Sequence, residues 1–218
     1  MKTYDQLPSC TAISTLFRQT PGTPKLTPTA AKLLDMLMLD LTAQALPEAR
    51  AGKVTLSTDS YAQTCGYSSP EAALKQLRAD AYLLTKIYFP NEENGDICPL
   101  LESRMQSSSA LTVTFNRSVS QQILKCPRVP FPTALFTIDA RKQNAYFLGR
   151  RLAGLGQAAC VTDMGTLLEA CPYIPSEDEF EGSRSVLKRK VVEPFIASMD
   201  ALRDAGILVW CPGSMDDS

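Results

Sequence analysis

The stretch Ser183–Gly206, SRSVLKRKVVEPFIASMDALRDAG, has the pattern of one long helix, and the rest of the chain is interpreted from it. Ser183 can cap the first turn with its hydroxyl, and Gly206 can end the last turn in a left-handed conformation. Apolar side chains recur every three or four residues, as the buried face of a helix requires. This predicted stripe consists of Leu187, Val191, Phe195, Met199 and Leu202.

The first turns of this helix carry a run of positive charge, here called the basic cluster. It consists of Arg184, Lys188, Arg189 and Lys190, and the first carboxylate after it is Glu193. Cations near a helix N-terminus oppose the helix dipole, so local stability does not account for them. A phosphate-bearing partner accounts for them, and a solvated charge run is the alternative interpretation.

A proline inside this helix complicates the prediction. Pro194 should cost about 3 kcal/mol in a helix interior unless the helix kinks or restarts there. On a straight helical wheel, Arg184 and Lys188 also fall near the buried stripe. They are solvated only if the first turns project beyond the core, as a helix entering a DNA groove does and as other long surface helices also do.

Length and composition indicate an ordinary globular protein. The 218 residues suffice for one domain or two small ones, with 44% hydrophobic and 21% charged residues. No apolar run reaches membrane-spanning length, and the first residues contain no apolar signal core, so we predict a cytoplasmic protein without a membrane partner. The net charge of −1 counts against a protein that coats nucleic acid, but it allows a local basic face.

The residue inventory disfavours catalysis. The chain has no histidine, which removes the commonest general base and every Ser-His or Cys-His pair. Its seven cysteines, irregularly spaced, are Cys10, Cys65, Cys98, Cys126, Cys160, Cys171 and Cys211. They form no C-x-x-C pair, so a zinc site is not expected. Acid- or lysine-based chemistry stays open, but we predict a non-enzyme with no catalytic residue, metal or cofactor.

The first half has the element order of a winged helix-turn-helix. After an N-terminal arm, the patterns predict helices at 27–46, 59–65 and 70–84, strands at 54–56, 85–89 and 110–115, and a polar loop at 90–109. The third helix of such a domain can enter a major groove. The first helix is apolar on more than one face, which favours a central core helix and leaves a homodimer contact as the alternative.

The second half repeats this outline after a proline-rich boundary. The patterns predict helices at 140–155 and 164–170, a strand position at Val161, an acidic turn at 173–182, the long helix, and a strand at 207–210. We therefore predict a mainly α fold with small β-hairpins (α+β), built from two tandem winged helix-turn-helix domains. The predicted divisions are an arm at 1–25, a first domain at 26–117, a linker at 118–134 and a second domain at 135–218.

In order and spacing, several pieces of this chain match one family. They are LTPTAAKLLDMLML, STDSYAQTCGYSSPEAALKQLRADAYLL, LTVTFN, FTIDARKQNAYFLGRRLAGL and SRSVLKRKVVEPFIASMDAL. With the proline in the last piece, the chain resembles the replication initiator (Rep) proteins of iteron-type plasmids across roughly residues 26 to 210. That family has two winged helix domains in tandem.

The resemblance implies binding of double-stranded origin DNA with direct repeats, dimerisation through the first domain, and host replication proteins as partners. It implies that the second domain makes the main major-groove contacts. The residues it assigns to DNA are Arg184, Ser185, Lys188 and Arg189, with Lys190 in the same run, then Lys75, Gln76 and Arg78 in the first domain, and Arg150 and Arg151 at the phosphate backbone.

Two other functions fit the same pattern. A winged-helix transcription regulator would use the same surfaces, because a fold does not fix a function. A winged-helix module that binds protein instead of DNA would suit the near-neutral charge, with the basic cluster facing acidic side chains such as those at 177–181. An enzyme is the least favoured alternative.

Overall fold

The chain is an α+β protein in which helices predominate. The computed structural model describes residues 6–8, 24–90, 97–107, 109–155, 162–175 and 183–207. Within these ranges, small antiparallel sheets accompany the helices. The α+β class predicted from the sequence is confirmed.

The elements of the first half follow in this order. They are β1 (Gln6–Pro8), α1 (Pro28–Ala43), α2 (Leu46–Arg50), β2 (Lys53–Ser57), α3 (Thr58–Cys65), α4 (Pro70–Leu84), β3 (Tyr88–Pro90), β4 (Ile97–Pro99), β5 (Leu101–Ser107) and β6 (Ala110–Phe115).

Among its described residues, the second half is helical apart from one short strand. Its elements are α5 (Arg117–Lys125), β7 (Arg128–Pro130), a 3₁₀ turn (Thr133–Thr137), α6 (Ala145–Gly154), α7 (Met164–Leu168), α8 (Arg184–Leu187), a π-helical turn (Lys188–Val192) and α9 (Glu193–Asp204). The last three are continuous and are called the long helix, residues 184–204.

Short polar residues set the helix starts in the first half. The Thr27 hydroxyl accepts a hydrogen bond from the Ala30 amide at 3.2 Å, and Ser57 and Ser69 cap α3 and α4 in the same way. Gly66 ends α3 with φ of +72°, a conformation that glycine adopts without strain. These local signals fix the starts of α1, α3 and α4 and the end of α3.

Two predicted boundaries are wrong. The predicted loop 90–109 contains β4 and β5, because β5 is an edge strand whose exposed Glu102 and Arg104 hide the strand pattern. The predicted helix 140–155 starts only at Ala145, since the Asp139 carboxylate binds the amide and guanidinium of Arg141 in a turn. The predicted strands at Val161 and 208–210, and residues 176–182 of the acidic turn, lie outside the described residues.

A three-stranded antiparallel sheet with the order β2-β6-β5 closes one side of the first half. Val54 faces Val113 and Leu56 faces Leu111 across β2 and β6, and all four side chains are buried. The alternation along β2, exposed then buried, is the period of a strand with one wet face. The buried face packs on α1 and α3.

Helix α1 lies at the centre of the molecule. Every residue from Ala30 to Leu41 is buried, against α4 on one side and against β1, β2 and α5 on others. The prediction of a central core helix is confirmed. Its apolar breadth is therefore satisfied within one chain, and a homodimer stays a prediction without support from this helix.

The two halves share one hydrophobic core. Lys32 on α1 donates a hydrogen bond to the Ile138 carbonyl, and burial lowers the pKa of its ammonium. Val119, Ile123 and Phe131, from the predicted linker, are buried in the same core. The division into two domains stays a prediction, and within this structure the halves are packed together.

Gly149 allows α6 to lie close against its neighbours, which generates a stability prediction. A Cβ at Gly149 would stand 2.3 Å from Leu135 Cδ2 and 2.7 Å from Leu202 Cδ2. Both leucines are fully buried and cannot swing aside. We expect Gly149→Ala to lower the free energy of unfolding, because overpacking by about 1–3 kcal/mol exceeds the roughly 1 kcal/mol that alanine gains in a helix.

Chemical denaturation of the purified chain would measure this loss. Arg151→Ala, at an exposed position of the same helix, is the control and should change the free energy of unfolding little. Equal stability of Gly149→Ala and the wild-type chain would contradict the close approach seen at this glycine.

Candidate nucleic-acid interface

The basic cluster lies on the solvent-facing start of the long helix. Arg184, Lys188, Arg189 and Lys190 are all exposed, as is Ser185. Among the described residues, no carboxylate pairs with any of these four cations. The cluster is thus a concentrated positive surface that the described part of the chain does not neutralise.

The buried stripe of the long helix begins only at Val191, after the basic cluster. Val191, Phe195, Met199 and Leu202 are buried, and α9 packs on α6. Leu187 is 39% exposed, so the predicted stripe is wrong at this residue. The reason is that the first turns of the long helix extend past the edge of the core. This projection leaves the cations in solvent.

The helix start differs in one detail from the prediction. The Ser183 hydroxyl pairs with the Ser185 hydroxyl at 3.0 Å and makes no capping bond to a helix amide. The Ser183 carbonyl instead accepts hydrogen bonds from the amides of Val186 and Leu187. Gly206 ends the helix with φ of +69°, as predicted.

Pro194 is accommodated by a π-helical turn. The Glu193 amide donates to the Lys188 carbonyl, five residues earlier, where an α-helix would use a carbonyl four residues earlier. Proline has no amide hydrogen and its ring crowds the preceding turn, so the α-helical ladder cannot pass through this point unchanged. The long helix continues through this turn without a gap, and α9 begins at Glu193.

In the first half, α4 presents a second basic face. Lys75 and Arg78 are exposed and lie on the same side of the helix as Tyr82, which is 66% exposed. Lys86, just after the helix, places its Nζ 5.0 Å from the centre of the Tyr82 ring. The sequence analysis did not identify Lys86. Its position four residues after Tyr82 was the available signal, because side chains at this spacing on a helix are neighbours.

Gln76, the third candidate on α4, is half-buried and already bonded within the chain. Its amide nitrogen donates to Thr29 Oγ1 at 3.1 Å and to Asp80 Oδ1 at 2.9 Å. Asp80 also accepts from the Tyr61 hydroxyl at 3.0 Å, and burial raises the pKa of this carboxyl group. Both amide hydrogens of Gln76 are therefore used, and its position serves the packing of α4 against α1.

Arg150 lies in the interior, away from any phosphate-binding surface. Its Nε donates to Asp35 Oδ2 at 2.8 Å, and the Asp35 side chain is fully buried. Tyr146 donates to the same oxygen at 2.7 Å, and burial raises the pKa of its hydroxyl well above the usual value, so it remains a donor. The Arg150 guanidinium is therefore bound inside the chain, whereas its neighbour Arg151 is exposed.

The described residues contain no group of three or more metal-binding side chains close enough to hold an ion. Within the same ranges, none of the helices combines the length and the apolar character needed to cross a bilayer.

No protein-family model and no curated protein sequence matches this chain. The likeness to plasmid initiators therefore stays a resemblance of element order and motif spacing. A functional conclusion has to rest on the surfaces described above.

The Asp35–Arg150 pair generates a prediction about stability. Asp35→Ala should lower the free energy of unfolding by about 3–5 kcal/mol, because it strands a guanidinium that is only 10% exposed. The double variant Asp35→Leu, Arg150→Met should lose less, since it leaves no buried charge unpaired. Urea denaturation of both variants makes the comparison. A double variant as unstable as the single one would contradict the role given to the pair.

Proposed function

We propose that this chain is a sequence-specific double-stranded DNA-binding protein of the plasmid or mobile-element replication-initiator type. It acts in the cytoplasm without catalysing a reaction. The single observation that carries the proposal is the basic cluster, whose four cations stand exposed and unpaired among the described residues on a helix that projects from the core. Such a helix end is suited to the major groove.

The element order supports two winged helix units. In the first half, β2 stands between α1 and α3 and pairs with the β5–β6 hairpin, which follows the helix-turn-helix of α3 and α4. This order and pairing support the proposal that the first half is a winged helix. In the second half, α6, α7 and the long helix follow in the same order. The two candidate recognition helices are then α4 and the long helix.

Charge and chemistry assign roles to the two helices. Arginine and lysine side chains of the basic cluster can bind guanine edges, each good bidentate contact contributing on the order of 1–3 kcal/mol of discrimination. Lys75 and Arg78 on α4, with Arg151, supply phosphate contacts that fix the register. Origin repeats, a second copy of the chain and host replication proteins are the partners that this proposal includes.

The near-neutral net charge favours one competing function. A protein of net charge −1 has little long-range attraction for DNA, so a winged-helix module that binds an acidic protein surface is the second candidate. A transcription regulator would bind DNA with the same residues and differs only in what the bound site controls.

DNA binding is tested by fluorescence anisotropy with duplexes from around the gene, over a series of salt concentrations. We expect tight binding to a fragment that carries direct repeats. The variant Arg184→Ala, Lys188→Ala, Arg189→Ala should bind at least about 100-fold more weakly, as expected when base-edge contacts of about 1–3 kcal/mol each are lost. Its log–log salt slope should fall by about 0.9 for each phosphate contact removed.

A matched control removes three exposed cations elsewhere. Lys53→Ala, Arg117→Ala, Lys125→Ala changes the net charge equally outside the proposed interface and should keep most of the affinity. Equal losses in both triple variants would mean that only general charge matters. No binding of the wild-type chain to any fragment at low salt would refute the proposal and favour the protein-binding module.

A further inference from the structure

We infer that Pro194 is a positioning residue: by imposing the π-helical turn at Lys188–Val192, it rotates Arg184 and Lys188 out of line with the buried stripe. This inference rests on the proposed DNA-binding function. It concerns a residue that contacts no DNA itself, and it explains why a proline occupies the interior of the long helix.

In an uninterrupted α-helix, Arg184 and Lys188 would lie on the same side of the helix as the buried stripe. Lys188 precedes Phe195 by seven residues and Arg184 precedes it by eleven, which are within about 20° of two and three full turns at 3.6 residues per turn. Phe195 is buried. A straight helix would therefore direct both cations along the line of the core-facing side chains.

The π turn changes this phase. It closes a hydrogen bond from the Glu193 amide to the Lys188 carbonyl, and so it contains one residue more than an α turn. Everything before it is rotated by about 100° relative to a straight helix, the angle that one α-helical residue occupies. Leu187 thereby comes nearest in angle to the line of the stripe, although at 39% exposed it lies beyond the edge of the core. Arg184 and Lys188 leave that line.

Pro194 is the residue that holds the turn in this form. In an α-helix the amide at position 194 would bind the Lys190 carbonyl, and proline has no amide hydrogen and collides with that carbonyl. π turns inside α-helices frequently occur at functional sites. Here the turn contains Lys188, Arg189 and Lys190 of the basic cluster and lies directly before the buried part of α9.

The first test replaces the proline and measures stability and binding together. Pro194→Ala restores the missing amide and allows a continuous α-helix, so its thermal stability should equal or exceed that of the wild-type chain. Its affinity for a duplex selected from a random pool by the wild-type chain should fall at least about tenfold, because the cations are turned away. A purely structural role would move stability and affinity in the same direction.

The second test restores the phase without the proline. Removing one residue from a straight α-helix rotates the preceding turns by the same angle as a π turn does. Deleting Val192 in the Pro194→Ala background should therefore recover most of the lost affinity. Ile196→Ala, at a position that is 40% exposed in α9, leaves the phase unchanged and serves as the control.

The outcomes of these experiments distinguish the positioning role of Pro194 from the proposed DNA-binding function. A wild-type chain that selects no duplex refutes the proposed function. A wild-type chain that binds, together with a Pro194→Ala variant of equal affinity, overturns only the positioning role. Loss of affinity in Pro194→Ala that the Val192 deletion does not restore also overturns it, since rotation of the cluster would then not be the cause.

Discussion

The structure depends on the burial of α1 on all sides. This helix contacts the sheet, α4 and the second half of the chain, and it carries Asp35 into a fully buried ion pair with Arg150. Burying a carboxylate is tolerable only because Arg150 and Tyr146 together satisfy it. The same bonds join residues more than a hundred positions apart in the sequence, so they hold the two halves in one arrangement.

That arrangement determines which charges face solvent. Arg150 and Lys32 are used inside the molecule, where one pairs with Asp35 and the other binds the Ile138 carbonyl. The cations of the basic cluster, and Lys75 and Arg78 on α4, have no such partner among the described residues and remain on the surface. A protein with a net charge near zero can thus present two local positive faces, because some of its surface cations are grouped on the long helix and on α4.

The long helix shows how one residue links folding to the proposed function. Its C-terminal part, from Val191 to Leu202, is packed on α6, where Gly149 permits close approach. Its first turns, residues 184–190, are exposed apart from the half-buried Val186. The hydrogen-bond register at the π turn therefore sets where the basic cluster points, and Pro194 determines that register.

The sequence by itself determined the local elements: the caps at Thr27, Ser57 and Ser69, the stop at Gly66, and the core position of α1, since these depend on neighbouring residues or on one helical period. The sequence pattern did not predict β5, because most of the side chains of this edge strand are polar. Only the tertiary structure decided which polar side chains are buried and which partners they bind. Arg150 and Gln76 resemble surface residues in sequence, but their partners, Asp35 in one case and Thr29 with Asp80 in the other, lie mostly on α1. Except for Gln76 with Asp80, which spans four residues of α4, these pairings join distant segments and arise only when the chain is packed, so no local pattern records them.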